Sequence, residues 1–114
     1  MKEGDVVLTP LPQADGRIKP RPCVALRRMP GFGDWLVCGI STQLHQEVAG
    51  FDDPILISHP DYVHSGLKAS SLIRLGFLAV LPQRQFLGVI GTLAPERHRL
   101  LLERLSTYLK NANP

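Results

Sequence analysis

The chain has 114 residues, of which 44% are hydrophobic, and carries 13 Lys and Arg against 10 Asp and Glu. This length and composition predict one domain that buries a core without disulfides or a structural metal. The net charge of +3 is too small to identify a nucleic-acid-binding protein by itself. The longest nearly uninterrupted apolar run, Leu75 to Leu81, is far shorter than the roughly 20 residues of a membrane-spanning helix. Since the N-terminal residues also lack the apolar core of a signal peptide, we expect a cytoplasmic protein.

Cationic residues are concentrated toward the two ends of the chain. Residues 35 to 66 contain four acids and no Lys or Arg, whereas residues 67 to 114 contain seven Lys or Arg and two acids. If the fold brings both ends together, a basic face results that attracts phosphates. Ordinary solvated charge is the alternative.

The first predicted strand, Asp5 to Thr9, is followed by a loop. Pro10 to Pro20 contains three prolines and an Asp15-Gly16 turn signal, which predict an exposed connection. Arg21 comes next, between two prolines that each fix their own φ, and Pro22 favours an extended Arg21. Its five fixed N–H donors suit a phosphate or a carboxylate. We predict a rigidly mounted cation at the entrance to a strand, with a solvated loop arginine as the alternative.

The second and third predicted strands form a hairpin. Pro22 to Arg28 and Trp35 to Ser41 are joined by Met29 to Asp34, a segment with one proline and two glycines. Antiparallel pairing brings the start of one strand, near Arg21, close to the end of the other, near Ser41. Each strand contains one cysteine, Cys23 or Cys38, at a spacing that suits neither zinc nor a redox pair, so we expect buried thiols.

The second half of the chain predicts three further strands and a helix. A polar connection that could hold one helical turn covers residues 43 to 54, and a loop covers residues 59 to 69. The predicted strands are Ile55 to Ser58, Ser70 to Leu81 with a bend or bulge at Gly76, and Phe86 to Leu93. Pro95 opens a helix whose apolar stripe packs on the sheet or on a second subunit. Six short strands and one terminal helix predict a mainly β fold, a small barrel of about six to seven strands.

Five segments, in order along the chain, resemble the MazF/PemK family of toxin ribonucleases from toxin–antitoxin pairs. They are Gly4-Asp5-Val6-Val7, Lys19-Pro20-Arg21-Pro22, Ile40-Ser41-Thr42, Ser65-Gly66-Leu67-Lys68 with Ser71, and Ile90-Gly91-Thr92-Leu93. The resemblance implies a single domain over residues 1–114, an SH3-like barrel, a homodimer and an acidic antitoxin partner. It also implies cleavage of single-stranded RNA without a metal or other cofactor, leaving a 2′,3′-cyclic phosphate.

The resemblance also implies the roles of individual residues. Arg21 matches the family's functional arginine, and Ser41, followed by Thr42, matches a hydroxyl that is usually threonine. Ser70 and Phe77 are departures, since they stand where the family commonly has an acidic and a polar residue. We expect Arg21 to stabilise the anionic phosphorane, and Ser41 to hold a phosphate oxygen or relay a proton.

Further residues are candidates for binding the substrate or for completing the chemistry. Lys19, Lys68 and Arg74 suit backbone phosphates, with surface solvation as the alternative. Phe32, between two glycines, suits stacking on a base. Trp35 is a weaker stacking candidate, because a tryptophan at a strand start more often belongs to the core.

No residue stands out as a general base. His45, four residues beyond Ser41, is the nearest histidine, and a simple surface histidine is the favoured alternative. The group His59, Asp61 and His64 lacks the spacing of a helical two-histidine metal motif, so no metal is predicted.

The competing interpretation is a non-catalytic SH3-like binding module, or an inactive homologue, that binds RNA, DNA or a protein tail. Arg21 and Ser41 favour the nuclease, whereas Ser70, Phe77 and the missing base favour the module. A neighbouring short open reading frame is expected only for the toxin.

Overall fold

Six antiparallel strands in one sheet and one α-helix form the fold of the computed structural model, which describes residues 1–12 and 16–113. The sheet curls into a half-barrel with the strand order β4-β5-β3-β2-β1-β6. The elements are β1 (Asp5–Pro12), β2 (Ile18–Arg28), β3 (Trp35–Ser41), β4 (Asp53–Ile55), β5 (Ser71–Leu81), β6 (Gly88–Thr92) and α1 (Pro95–Lys110). The predicted mainly β fold with a terminal helix is confirmed. No helix among the described residues is long and apolar enough to cross a membrane.

Strands β1 and β2 extend further than predicted. Their ladder continues through the pairs Pro10↔Pro20, Leu11↔Lys19 and Pro12↔Ile18, which we call the proline arm. The predicted loop over Pro10 to Pro20 is therefore wrong for most of its length. Proline fixes φ at a value that a β-strand accepts. The prolines at 10, 12 and 20 lie beyond the last pairs of β1 with β6 and of β2 with β3, so their missing N–H groups cost few ladder hydrogen bonds. Of the predicted turn, Asp15 lies outside the described residues and Gly16 has a φ of +84°.

The predicted strand Ile55 to Ser58 is wrong except at Ile55: β4 begins two residues earlier, at Asp53, and the residues after Ile55 make other hydrogen bonds. The Ile57 N–H donates to the Ser70 hydroxyl at 2.9 Å, and the His59 N–H donates to the Leu56 carbonyl at 2.8 Å. Short 3₁₀ turns lie in the two predicted connections before and after β4, at Leu44–Gln46 and Tyr62–Ser65, and a third lies between β5 and β6, at Gln83–Gln85. The Met29 N–H donates to the Asp34 carbonyl at 2.7 Å and closes the predicted hairpin between β2 and β3.

Strand β5 contains the predicted irregularity. Cys38 pairs with Leu78 while the next residue of β3, Gly39, pairs with Arg74, so three residues of β5 lie between successive pairs. Those three residues are Leu75, Gly76 and Phe77. The strand bends at this bulge, as is usual where one strand carries extra residues.

Alternating side chains build a core on each face of the sheet. The face covered by α1 buries eleven residues: Val6, Val24, Leu26, Cys38, Ile40, Ile55, Ile73, Leu75, Leu93, Leu101 and Leu105. The opposite face buries a smaller cluster, Val7, Cys23, Ala25, Trp35 and Val37. Burial raises the pKa of the Cys23 thiol to about 12 and also raises the pKa of Cys38, so both thiols stay protonated at neutral pH. The expectation of buried thiols is confirmed.

Two glycines allow the loop before β5 to lie directly against β6. Gly66 has a φ of +71°, and a Cβ there would overlap the Ile90 carbonyl group. A Cβ on Gly91 would overlap the Ser65 carbonyl group. Glycine is therefore required at both positions for close backbone approach.

Replacing Gly91 should be far more damaging than replacing Gly88 on the same strand. We expect Gly91→Ala to lower the free energy of unfolding by about 3 kcal/mol or more, because backbone must move to admit the methyl group. Nothing lies within 4 Å of a Cβ on Gly88, so Gly88→Ala should change stability little. Urea unfolding of both variants measures the difference, and equal midpoints would contradict the close approach.

Helix α1 is fixed to the loop after β3 and to the loop after β4 by two arginines. Arg97 donates two hydrogen bonds to the Asp61 carboxylate, at 2.8 and 3.1 Å, and one to Asp53 at 2.7 Å. Arg104 donates to the Asp52 carbonyl at 2.7 Å. Hydrogen bonds from Arg97 hold the pKa of Asp61 below its usual value. The Arg97–Asp61 pair stabilises the fold above the ordinary carboxyl pKa and loses that effect as the pH falls through the lowered pKa of Asp61.

Removing Arg97 should therefore lower both stability and its pH dependence. At pH 7 we expect Arg97→Met to lower the free energy of unfolding by about 2 to 3 kcal/mol, since the buried Asp53 carboxylate and the half-buried Asp61 carboxylate lose their partner. The parent should lose stability progressively as the pH falls below about 5 and Asp61 becomes protonated, and the variant should lose less over the same range. Arg99→Met, at an exposed position of the same helix, is the control. Parallel pH profiles for the parent and Arg97→Met would rule out this role.

Candidate nucleic-acid interface

The candidate site lies on the face of the sheet opposite α1, which we call the site face. Residues directly opposite one another on antiparallel strands point to the same face, as do alternate residues of one strand. One row across β1, β2, β3 and β5 is formed by Val7, Cys23, Gly39 and Arg74. Two residues further along the strands, Thr9 pairs with Arg21 and Ser41 pairs with Leu72. Each row contains an arginine and no acidic residue.

Arg21 and Ser41 lie at the same end of neighbouring strands. The β2–β3 ladder is antiparallel, as predicted, and ends at the pair Cys23↔Gly39. Arg21 and Ser41 are each two residues beyond that pair, and both remain in their strands, so their side chains share the site face. Arg21 is exposed and Ser41 is half-buried. The structure thus brings together the two residues on which the predicted chemistry depends.

The Ser41 hydroxyl is held by the chain that follows it. Its oxygen accepts a hydrogen bond from the Gln43 N–H at 3.0 Å. A hydroxyl has two lone pairs and one proton, so this bond leaves the proton for an oxygen of a bound molecule. Local hydrogen bonding of this kind orients Ser41 before any substrate arrives.

Thr9 is a residue of this site that the sequence did not reveal. It is only 2% exposed, and its hydroxyl has no hydrogen-bond partner among the described residues. The β1–β2 register places it directly opposite Arg21. The sequence prediction ended β1 at Thr9 and treated Lys19 and Pro20 as loop, so the pairing could not be seen without the longer ladder.

Two of the predicted phosphate-binding cations share the site face. Lys19 lies two residues before Arg21 in the proline arm and is exposed, and Arg74 pairs with Gly39 and is half-buried. Thr42 is exposed directly after Ser41, and its carbonyl accepts the Leu44 N–H at 3.0 Å. Strands β2 and β5 thus place Lys19, Arg21 and Arg74 on the site face, whereas Arg97 and Arg104 of α1 bind the acidic middle of the chain.

Two other predicted substrate-binding residues are not brought to this end of the sheet. Phe32 is 97% exposed, but it lies in the connection between β2 and β3, at the opposite end of β2 from Arg21. The seven residues from Arg21 to the end of β2 at Arg28 already span more than about 20 Å of extended strand. Lys68 is exposed in the loop before β5 and belongs to neither row. Trp35, the weaker stacking candidate, is buried, and its ring lies 6.0 Å from the Arg28 guanidinium.

Two residues of the predicted non-metal group His59, Asp61 and His64 contribute to the docking of α1. The His59 Nδ1 accepts the Leu56 N–H at 3.1 Å and lies 3.2 Å from Arg97 Nη2, while Asp61 binds Arg97. Within residues 1–12 and 16–113, no three His, Cys, Asp or Glu side chains are grouped as metal ligands. His45 is exposed in the turn after Ser41, and its candidacy as a base stays a prediction.

The two departures from the family pattern have different structural settings. Ser70 accepts the Ile57 N–H and so supports the end of β4. Phe77 lies in the β5 bulge with its ring over Gly39, on the site face. Ser70 is therefore structural here, whereas Phe77 lies beside the candidate site.

The unpartnered Thr9 hydroxyl should cost stability. We expect Thr9→Val, which keeps the side-chain shape and removes the hydroxyl, to raise the free energy of unfolding by about 1 kcal/mol. Thr92→Val is the matched control, because the Thr92 hydroxyl accepts a hydrogen bond from Lys2 at 3.2 Å and should not gain. Chemical denaturation of both proteins tests this, and a destabilised Thr9→Val would mean that the hydroxyl is satisfied in solution.

Comparison with known proteins agrees with the residue pattern. Residues 2–109 match the family model described as PemK-like, MazF-like toxin of type II toxin–antitoxin system. Among solved structures, the chain is similar to the Mycobacterium tuberculosis toxin MazF-mt6, at a TM-score of 0.67 and 20% sequence identity over 96% of this chain and 99% of that chain. Comparison with curated proteins gives no match. The structural likeness shows a shared fold, and because the family match spans nearly the whole chain, the chain belongs to the PemK-like, MazF-like toxins of type II toxin–antitoxin systems.

Proposed function

We propose that the chain is an endoribonuclease toxin that cleaves single-stranded RNA in the cytoplasm without a metal cofactor. The observation that carries the proposal is the position of Arg21 and Ser41, both two residues beyond the pair Cys23↔Gly39 on the site face. Membership of the toxin family supports the same activity.

The proposed reaction uses the RNA itself as the nucleophile. The 2′ oxygen attacks the neighbouring phosphorus and loses its proton, while the bond from phosphorus to the 5′ oxygen breaks and that oxygen gains a proton. The products are a 2′,3′-cyclic phosphate and a free 5′ hydroxyl. Atoms balance without water or a redox partner, so the protein has to stabilise charge and guide protons.

Arg21 suits the stabilisation of charge on the phosphorane. Its guanidinium is permanently cationic and presents N–H donors in a fork that fits two phosphate oxygens. The strand ladder to Thr9 on one side and the prolines at 20 and 22 restrict its backbone, so the base of the side chain that carries the cation is fixed before the RNA binds. An arginine titrates far above neutral pH and is therefore poorly suited to act as the general acid.

Ser41 suits a phosphate oxygen or a proton relay. Its lone pair is engaged by the Gln43 N–H, which leaves the hydroxyl proton to donate. Cys23 lies one row below, but burial raises its pKa to about 12, so it supplies neither a thiolate nucleophile nor a base at neutral pH.

Further substrate contacts follow from charge and exposure. Lys19 and Arg74 share the site face with Arg21 and would bind the phosphates flanking the cleaved one. In this proposal Thr42 supports Ser41, while Lys68 and Phe32 contact more distant parts of a long RNA. The basic site face would also attract the acidic antitoxin, and the family resemblance favours a homodimer.

Arg21 is the residue to test first. We expect the purified protein to cut a long unstructured RNA at discrete positions in excess chelator and to leave cyclic phosphate ends. Arg21→Ala should lower the cleavage rate by about 100-fold to 1,000-fold, since one preorganised donor group is lost. Arg21→Lys keeps the charge but not the fork and should recover only part of the rate. Arg84→Ala, at an exposed arginine in the turn after β5, should cleave like the parent.

Intact RNA with folded, antitoxin-free parent protein would overturn the nuclease and favour the non-catalytic binding module. Equal rates for Arg21→Ala and the parent would reject the assigned role of Arg21. Cleavage that disappears with chelator would replace the proposed chemistry with a metal-dependent reaction.

A further inference from the structure

The ring of Phe77 occupies an unusual place on the site face. The bulge in β5 sets three residues between the pairs Cys38↔Leu78 and Gly39↔Arg74. Leu75 of that bulge is fully buried under α1, whereas Phe77 turns to the opposite face and remains 53% exposed. An aromatic side chain so open to solvent has no role in either core.

Gly39 provides the space in which the Phe77 ring lies. A Cβ on Gly39 would approach the ring to 2.7 Å at Cδ1 and 3.3 Å at Cγ, so the ring lies against the bare backbone of β3. The backbone at Gly39 does not have a positive φ. Glycine is therefore needed here for room and not for backbone conformation. One side of the ring is supported by the strand, and about half of the side chain stays open.

The charges around the ring are those that a nucleic acid would meet. Gly39, under the ring, pairs with Cys23 on one side and with Arg74 on the other. Arg21 and Ser41 are two residues further along, or about 7 Å at the rise of an extended strand. An aromatic surface with cations on two sides fits a nucleobase whose flanking phosphates bind those cations.

We propose that Phe77 is the stacking platform for an unpaired nucleobase of single-stranded RNA next to the phosphate bound by Arg21. This inference rests on the proposed function and adds a binding subsite to it. Sequence-specific recognition of RNA commonly stacks unpaired bases on aromatic side chains. Phe77 would thus hold the strand in place and favour bases that stack well.

The test measures binding separately from cleavage. The probe is a short unstructured RNA carrying 2′-O-methyl groups throughout, which lacks the nucleophile of the proposed reaction. We expect Phe77→Leu to weaken its binding by about 5-fold to 100-fold and Phe77→Trp to keep it, since only Trp restores an aromatic face. Val80→Ala is the control, because Val80 is 54% exposed on the same strand but pairs with Leu36, which contacts the core under α1.

A spectroscopic readout reports on stacking itself. The chain has one tryptophan, Trp35, and it is buried, so the emission that Phe77→Trp adds can be obtained by difference from the parent. Saturating probe should quench the added emission. Unfolding midpoints of all variants, measured alongside, confirm that each is folded.

The outcomes separate this inference from the proposed function. Equal affinity of Phe77→Leu and the parent for the probe, with no quenching in Phe77→Trp, would overturn the stacking platform even if the parent cleaves RNA through Arg21. Loss of affinity with quenching would support it even if the parent cleaves nothing, and would then favour an RNA-binding module. A change in oligomeric state of Phe77→Leu with unchanged affinity would assign the ring to a protein interface and would also overturn the proposal.

Discussion

The antiparallel register between β2 and β3 is the constraint on which the candidate site depends. A slip of one residue would turn every side chain of a strand to the other face. Here both faces resist such a slip, because Val24 and Cys38 are buried under α1 while Ala25 and Val37 are buried on the opposite side. Because the register is fixed in this way, the side chains of Arg21 and Ser41 lie on the same face of the sheet, the site face. The apolar residues of the hairpin thus determine the position of polar residues that they do not contact.

The distribution of charge follows from how α1 is attached. Arg97 and Arg104 are directed to Asp53, Asp61 and the Asp52 carbonyl, so the acidic middle of the chain is bound by the C-terminal helix. The site-face rows contain arginines without acids in the same row. Within the described residues, Glu3, Asp5, Asp53 and Asp61 form ion pairs with Lys2, Arg27 and Arg97, which do not belong to the site-face rows.

The sequence predicted the elements better than the contacts between them. Strand β3 has the predicted bounds, and the bulge in β5 was expected at Gly76, because alternation and glycine are local signals. The extension of β1 and β2 through three prolines was missed, since proline is a strong loop signal unless a partner strand is known. Hence Thr9 could not be connected with Arg21.

In the candidate site, too, features with a local sequence signal could be predicted, whereas contacts between distant strands could not. The hairpin pattern was enough to predict that Arg21 and Ser41 lie at the same end of neighbouring antiparallel strands. Gly66 and Gly91 were recognised as parts of the family motifs. The sequence did not indicate that Gly66 makes room for the backbone of β6 or that Gly91 makes room for the backbone of the loop before β5. Phe77 was visible only as a departure from the family pattern, because its position over Gly39 depends on a pairing shift that no local pattern encodes.

The proline arm has a consequence for association between copies of the chain. Its two strands continue beyond the last β1–β6 pair, Leu8↔Gly88, and beyond the last β2–β3 pair, so in the part of the chain that the structure describes no further strand pairs with their outer edges. Exposed strand edges are templates on which further strands add, and this is a route to aggregation. Proline at 10, 12 and 20 removes backbone donors along these edges, so a strand docking there would find an incomplete ladder. A stiff ribbon can therefore project beside a charged surface while remaining a poor seed for intermolecular sheets.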